Sequence, residues 1–198
     1  MIMSERAAPP RRRLIRLARE LAVFAAVVLV LLTARSVLAD HYKVPTGSMI
    51  PTVAIGDRLF VNKAAYGLRL PFTDTYMFEW EGPAAGDVVV LRSPEDGRTL
   101  LKRVVAIPGD RIAVRDGRIR IGGATVAVEG EGDQLREQLG GRWHRLRLTA
   151  GGGSDFGPRR IPPRKYLVMG DNRGESHDGR EFGLVDREAI WGLSLIHI

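Results

Sequence analysis

The stretch "TLLKRVVAIPGDRIAVRDGRIRIGG", residues 99–123, decides the fold. Its first part is rich in branched apolar residues and stops at Pro108-Gly109, which predicts a β-strand that ends in a turn. Its second part alternates apolar and charged residues on either side of Asp116-Gly117, a dipeptide typical of β-hairpins. Antiparallel β-structure with tight turns is therefore expected in this part of the chain.

Similar patterns occur on both sides of this stretch. Residues 58–62, 86–93 and 165–172 each predict a short strand bounded by turn residues. The 198-residue chain also contains 23 glycines and 11 prolines, which favours a turn-rich architecture over a helical one. We expect a mostly β fold, with an antiparallel, barrel-like domain over residues 40–192.

Two segments depart from the strand pattern. Residues 129–163 contain "EGEGD", "GGGSD" and "PRRIPPR" with little apolar content, which predicts an exposed, weakly structured and partly mobile insertion. The last six residues, "LSLIHI" at 193–198, match the translation of a common sequencing-library adapter end. We interpret them as a non-native read-through tail, and expect the native chain to continue past Gly192.

The net charge of +7 is concentrated at the start of the chain. Residues 1–20 contain six arginines against Glu5 and Glu20, whereas the rest contains 24 basic and 21 acidic residues. Such a cluster beside an apolar segment indicates a cytoplasmic N-terminus that faces anionic lipid. A nucleic-acid-binding arm is the alternative, but no interleaved aromatic and basic residues follow, so no nucleic-acid partner is expected.

An apolar segment follows the basic cluster. Residues 21–34 carry no charge, and extending the segment to Ala39 gives 19 residues, or about 28 Å of helix, close to the ~30 Å hydrocarbon core of a bilayer. Residues 21–39 are therefore predicted to be a transmembrane anchor. A cleavable signal peptide with Val37 and Ala39 at its cleavage site is the alternative, although Arg35 favours an uncleaved anchor. Either way, the rest of the chain is expected outside the cytoplasm.

A candidate nucleophile lies just past this segment, in "VPTGSMIPT" at residues 44–52. Pro45 and Pro51 restrict the backbone around Ser48, and Gly47 allows a substrate to approach closely. The chain has no cysteine, which excludes a thiol nucleophile, disulfides and thiolate metal sites.

A serine nucleophile needs a base. Lys102 lies among apolar residues in the strand at 99–110, where burial would lower its pKa and allow the neutral amine to accept the serine proton. An exposed lysine on an edge strand is the alternative. A Ser-His-Asp arrangement through His177 and Asp178 also stays open.

The polar motif "MGDNRGESHDGREFG" covers residues 169–183. It is either a solvated loop, a hydrogen-bonded loop that supports a catalytic cleft, or a carboxylate metal site. Its interleaved arginines would compete with a cation for the carboxylates, so we expect neither a metal nor another cofactor.

Four segments resemble the sequence boxes of bacterial type I signal peptidases in order and approximate spacing. They lie at 45–52, 100–110 and 169–183, with "GDRLFVNKAAYG" at 56–67 as the fourth. The resemblance covers roughly residues 14–192. It implies a membrane-bound serine endopeptidase that cleaves signal peptides from exported preproteins through a Ser-Lys dyad and an acyl-enzyme. It also implies a single-pass protein of the bacterial plasma membrane, near the protein export machinery, with its catalytic domain outside the cytoplasm.

The resemblance also implies roles for individual residues. Ser48 is similar to the family's nucleophile and Lys102 to its general base. Thr46 occupies the position whose hydroxyl forms the oxyanion hole together with the Ser48 backbone N–H. Ser176 matches the serine that orients the lysine amine.

The remaining matches are supporting residues. Asp171, Asp178 and Arg180 look like members of the family's ion pairs, with Arg103 as a further partner, and Met49 is expected to line the substrate cleft.

The chain departs from the family pattern beside these residues. Gly174-Glu175 stands where Asp-Asn is usual, Gly179 where serine is common, and Phe182 where a Tyr-Trp pair is frequent. Two other functions fit parts of the sequence: a non-enzymatic β-domain that binds a partner through the 169–183 loop, and a self-cleaving repressor-type Ser-Lys protease without a membrane segment.

Overall fold

The computed structural model describes the backbone of residues 10–70, 73 and 75–195, and their side chains except those of 10–13, 29–39, 133 and 150. One helix, α1 (Pro10–Leu38), precedes a series of short strands. The strands are β1 (Ala39–Lys43), β2 (Arg58–Asn62), β3 (Gly67–Arg69), β4 (Tyr76–Glu79), β5 (Val88–Arg92), β6 (Thr99–Ala106), β7 (Arg111–Arg115), β8 (Arg118–Ile121), β9 (Ala124–Thr125), β10 (Val128–Glu129), β11 (Arg136–Leu139), β12 (Arg142–Arg145), β13 (Phe156–Arg160), β14 (Lys165–Met169), β15 (Val185–Asp186) and β16 (Ile190–Leu195). Three 3₁₀ turns are also described: Gly132–Gln134, Ala150–Gly152 and Arg187–Ala189.

The main sheet has seven strands in the order β1-β2-β16-β5-β6-β14-β15, and every neighbouring pair is antiparallel. It curls into a half-barrel with β1 and β15 as its edges. A second sheet, β13-β7-β8-β9, follows β6, and two smaller sheets are formed by β10-β11-β12 and β3-β4. The mostly β, antiparallel part of the predicted fold is confirmed.

The stretch at 99–123 forms the elements its pattern predicts. Strand β6 ends at Ala106, just before Pro108-Gly109, and β7 and β8 pair across a turn at Asp116 and Gly117. Both turn residues have a positive φ, 50° and 72°, as a two-residue hairpin turn requires. The alternation of the hairpin then places Ile112, Val114 and Ile119 in the core and its arginines on the exposed face.

The core lies on both faces of the main sheet. One cluster packs the β7–β8 hairpin against Ala106, Leu167 and Met169, and a second packs Val89, Val104 and Val168 on the other face. A third, smaller cluster joins Met49 to Val44, Leu59 and neighbouring apolar residues, and so fixes the segment that carries Ser48.

Helix α1 covers the predicted cytoplasmic segment from residue 10 and the predicted anchor to residue 38. Its described apolar side chains are exposed, for example Phe24 at 68%. Among the described residues, no helix combines the length and the apolar character needed to cross a membrane. The anchor over residues 21–39 therefore stays a prediction.

The segment 129–163 differs from the prediction of a weakly structured insertion. It contributes β11, β12 and β13, and it buries Leu139, Leu146 and Ile161, each 1% exposed. These apolar residues are widely spaced among glycines and arginines, so the sequence does not show a continuous apolar face there. The segment packs against the 169–183 loop: the Arg147 N–H donates to the Asp171 carbonyl at 2.8 Å.

The C-terminal segment predicted to be a read-through tail is partly described. Residues 193–195 belong to β16, and Leu193 pairs with Asn62 of β2 and Val89 of β5. Residues 196–198 lie outside the described part, and the origin of the segment stays a prediction.

Candidate active site

Ser48 lies in a tightly turned loop between β1 and β2. The Val44 N–H donates to the Asp57 carbonyl and the Gly56 N–H to the Val44 carbonyl, both at 2.9 Å, so the loop closes at its base. Met49, next to the serine, is 1% exposed and anchors the loop in the core. The sequence thus holds a partly exposed serine beside a buried apolar residue.

Lys102 projects towards Ser48 from the middle of β6. The strand pairs Lys102 with Val89 of β5, and the lysine is 3% exposed. The distance from Lys102 Nζ to Ser48 Oγ is 2.7 Å, a hydrogen bond between residues 54 positions apart. The structure therefore brings the predicted nucleophile and the predicted base together.

The surroundings of Lys102 favour its neutral form. Burial lowers the pKa of the Lys102 ammonium from 10.5 to about 8; the carboxylates of Asp178 and Asp171 oppose this change, and the charge of Arg180 adds to it. A lysine with a pKa near neutral pH is suited to accept a proton from a hydroxyl group.

Two buried ion pairs near Lys102 are formed by the four residues that the resemblance named as ion-pair partners. Arg103 donates to both carboxylate oxygens of Asp171, at 2.8 and 2.7 Å, and Thr52 Oγ1 also donates to Asp171. Arg180 donates to both oxygens of Asp178, at 2.8 and 2.9 Å. Such bidentate pairs fix side-chain geometry as well as charge.

Two predicted residues are placed differently from what their implied roles require. The Ser176 hydroxyl is buried but has no hydrogen-bond partner among the described residues, so it does not hydrogen-bond to Lys102 Nζ. Thr46 is exposed and lines the cleft, and no hydrogen bond of its hydroxyl is found in the described part of the chain.

A cleft of about 510 Å³ opens beside the Ser48–Lys102 pair. Its wall combines the loop before β2 with β5 and β6. The lining residues are Tyr42, Lys43, Val44, Pro45, Thr46, Gly47, Ser48, Met49, Leu59, Val90, Arg98, Thr99, Leu100, Leu101, Lys102, Glu175 and His177. Met49 therefore lies where the resemblance put it, and the cleft is mostly apolar around the two reactive groups.

His177 is engaged elsewhere, which argues against the Ser-His-Asp alternative. Its Nε2 lies 2.8 Å from Glu95, and its Nδ1 contacts Glu181. Hydrogen bonds to these two carboxylates raise the pKa of His177, which favours its charged form. A general base must instead be neutral before it accepts a proton.

Sequence reasoning did not single out two buried residues of the site. Asn172, at 1% exposure, contacts the backbone on both sides of Ser48, and Arg173 is fully enclosed with Glu137. The only sequence signal was their position inside the polar motif. Among the described residues, no cluster of three or more His, Cys, Asp or Glu side chains could hold a metal ion.

Comparisons with known proteins identify the family of the chain. The family model "Signal peptidase, peptidase S26" matches residues 15–198. A signal peptidase I of Bacillus licheniformis is 36% identical over 176 residues, covering 87% of this chain and 83% of the relative. The chain belongs to the signal peptidase family, peptidase S26.

Other relatives are longer. The signal peptidase I of Pseudomonas fluorescens is 36% identical over 170 residues, which cover 79% of this chain and 60% of the relative. A crystal structure of a signal peptidase I from Enterococcus faecalis matches with a TM-score of 0.39 and 24% identity, over 57% of this chain and 97% of that one. The chain thus spans about 60% of the length of the Pseudomonas relative.

Proposed function

We propose that the chain is a membrane-bound serine endopeptidase that removes N-terminal signal peptides from exported preproteins. The observation that carries the proposal is the 2.7 Å distance between Lys102 Nζ and Ser48 Oγ at a lysine that is 3% exposed. The names of the curated relatives, signal peptidase I, support the substrate class.

In the acylation step, the neutral Lys102 amine accepts the proton of Ser48 as Oγ attacks the carbonyl carbon of the scissile peptide bond. The carbonyl electrons move to oxygen, and a tetrahedral oxyanion forms. When the carbon–nitrogen bond breaks, the Lys102 ammonium returns the proton to the leaving amine. The mature protein departs with a new N-terminus, and the signal peptide stays attached to Ser48 as an ester.

Deacylation repeats the same proton transfers with water. Lys102 accepts a proton from a water molecule, the resulting hydroxide attacks the ester carbonyl, and the proton passes to Ser48 Oγ as the ester bond breaks. Lys102 has a pKa of about 8, so a useful fraction is neutral near pH 7 and its conjugate acid can still donate.

The oxyanion needs hydrogen-bond donors that are already in place. The Ser48 N–H and the Thr46 hydroxyl are the proposed donors, and both residues line the cleft. Because the Thr46 side chain is exposed, a bound substrate would have to orient its hydroxyl. The apolar wall formed by Val44, Met49 and Leu101 would accept small side chains of the signal peptide next to the scissile bond.

Helix α1 is proposed to anchor the protein, with the arginines at its start on the cytoplasmic side. The exposure of Leu21, Val23 and Phe24, at 61%, 58% and 68%, supports a lipid environment for this helix. Anchoring would restrict the enzyme and a tethered preprotein to one surface and so raise their effective concentration.

Cleavage of a purified preprotein by the detergent-solubilised full chain tests the proposal. Ser48→Ala and Lys102→Ala should each abolish cleavage, because one removes the nucleophile and the other the base. Lys165→Ala is the matched control, since its partly exposed amine pairs with Asp186 at the surface. Full activity of the Lys102→Ala protein would refute the dyad, and cleavage that survives Ser48→Ala would refute the serine mechanism.

Membrane attachment is tested separately. The wild-type chain should stay in the membrane fraction after alkaline carbonate extraction, and external protease should reach the β domain in spheroplasts. Release of the intact chain into the soluble fraction would contradict the anchor and favour a soluble repressor-type Ser-Lys protease instead.

A further inference from the structure

Asn172 makes four hydrogen bonds around the nucleophile. Its side-chain Nδ2 donates to the Gly47 carbonyl at 3.3 Å and to Glu175 Oε2 at 3.0 Å. Its backbone N–H donates to the Ser48 carbonyl at 3.1 Å, and its Oδ1 accepts from Thr149 Oγ1 at 3.0 Å. An asparagine side chain offers two N–H donors and one carbonyl oxygen, and all of them are engaged at this buried position.

The two carbonyls that Asn172 holds belong to the two peptide groups on either side of the Ser48 Cα. The Gly47 carbonyl lies in the same planar peptide unit as the Ser48 N–H, and in a trans peptide these two groups point in opposite directions. Holding the Gly47 oxygen therefore fixes the direction of the Ser48 N–H. The second bond, to the Ser48 carbonyl, fixes the next peptide plane.

Gly170 shows independently how closely the same loop approaches the nucleophile. A Cβ atom at residue 170 would lie 2.4 Å from the Ser48 carbonyl oxygen and 2.3 Å from Ser176 Oγ. No side chain fits in this space without displacing the nucleophile's backbone. The loop after β14 and the loop before β2 are thus in direct backbone contact at Ser48.

The neighbours of Asn172 also determine which end of its amide faces Gly47. The Glu175 carboxylate can only accept a hydrogen bond when ionised, so it must face the amide nitrogen. Thr149 lies on the oxygen side and donates to it. These two contacts keep the nitrogen, rather than the oxygen, directed at the Gly47 carbonyl.

We propose that Asn172 is a positioning residue for the nucleophile: it clamps both peptide groups that flank Ser48 and so directs the Ser48 N–H towards the substrate oxyanion. This proposal rests on the proposed function, because it concerns the hydrolytic step. It assigns a task to the segment 147–149 as well, since Thr149 orients the Asn172 amide.

Asn172→Asp is the sharpest test, because it keeps the size of the side chain and removes both of its donors. We expect kcat for preprotein cleavage to fall about 10- to 100-fold with KM within twofold, because the clamp acts on transition-state alignment rather than on substrate binding. The new carboxylate should raise the pKa of Lys102, as Asp178 and Asp171 do, so kcat is compared on the alkaline plateau of each pH–rate profile, where Lys102 is neutral in both proteins.

Glu175→Gln in the Asn172→Asp background separates positioning from stability. The glutamine amide can donate to the new carboxylate, so the melting temperature should recover, but the donor to Gly47 is still missing and kcat should stay low. Thr149→Val is the matched control: it removes only the contact on the oxygen side, and kcat should fall less than tenfold.

The outcomes distinguish the two proposals. The positioning role alone would be overturned if the wild type cleaved the preprotein, Ser48→Ala did not, and a folded Asn172→Asp protein kept a normal kcat. Recovery of kcat in the Asn172→Asp/Glu175→Gln protein would also overturn it. A wild-type chain that cleaves no preprotein would overturn the proposed function and the positioning role with it.

Discussion

Replacing Lys102 by methionine should make the protein more stable at neutral pH, because the native chain must bury an amine that prefers to be charged. The pKa of Lys102 is lowered from 10.5 to about 8, mainly by burial. Between these two values the unfolded chain binds a proton that the native chain does not hold. The free energy of unfolding therefore rises with pH across this window.

The magnitude follows from the two pKa values. At about 1.4 kcal/mol for each tenfold difference in proton affinity, the penalty is about 3 kcal/mol at and below pH 7, and it disappears above pH 10.5. Methionine has a similar apolar length and no charge to desolvate. We expect Lys102→Met to exceed the wild type by about this amount at pH 7 and to match it at the alkaline end.

The assay is urea unfolding of both detergent-solubilised proteins, followed by tryptophan fluorescence at several pH values from 7 to 10.5. Comparing the two proteins cancels the titration of all other groups. Lys165→Met, which removes a partly exposed amine, is the control and should not reproduce the gain in stability at pH 7. If the free energies of unfolding of the wild type and Lys102→Met changed equally with pH, the argument that burial displaces the Lys102 proton would be refuted.

Three further predictions concern catalysis and support of the site. In the proposed mechanism the active form contains neutral Lys102, so kcat/KM should rise about tenfold per pH unit and level off near pH 8. A midpoint near 10.5 or 6.5 in the pH–rate profile would contradict this. Burial alone would raise the pKa of Glu137, but Arg173 and the nearby His144 lower it to about 2. The free energy of unfolding should therefore fall as the pH drops from 4.5 towards 2. In urea titrations, Glu137→Gln should be less stable than the wild type by about 3 kcal/mol at neutral pH and should not show this loss of stability in acid. Gly170→Ala should lower kcat and destabilise the fold by about 1–3 kcal/mol, since its Cβ would lie 2.4 Å from the Ser48 carbonyl oxygen; an unchanged kcat and melting temperature would contradict the close approach.

Local sequence patterns predicted the elements that depend on local chemistry. The strand at 58–62 has the predicted bounds, and the Asp116-Gly117 hairpin has the predicted turn, because alternation and turn residues act over only a few positions. Those elements then bring Ser48 and Lys102 together, the pair that the family resemblance named.

The contacts that the sequence did not reveal join distant segments. Glu137 pairs with Arg173, and Thr149 with Asn172, across 36 and 23 positions. In the sequence, a charged residue among glycines has the same pattern whether its side chain is solvated or buried with a partner. The pattern of segment 129–163 therefore predicts exposure. Ser176 illustrates the converse: a matched motif position does not fix where a hydroxyl points, because a small rotation breaks a hydrogen bond.

The direct junction between α1 and β1 restricts where Ser48 can lie relative to the helix. The helix ends at Leu38, the strand begins at Ala39, and β1 pairs with β2 along its whole length. Because no residue separates the helix from the paired strand, the junction restricts the height of Ser48 relative to the helix end. Under the proposed function, peptide bonds presented at that height would be cut, and chemically equivalent bonds held higher or lower would not.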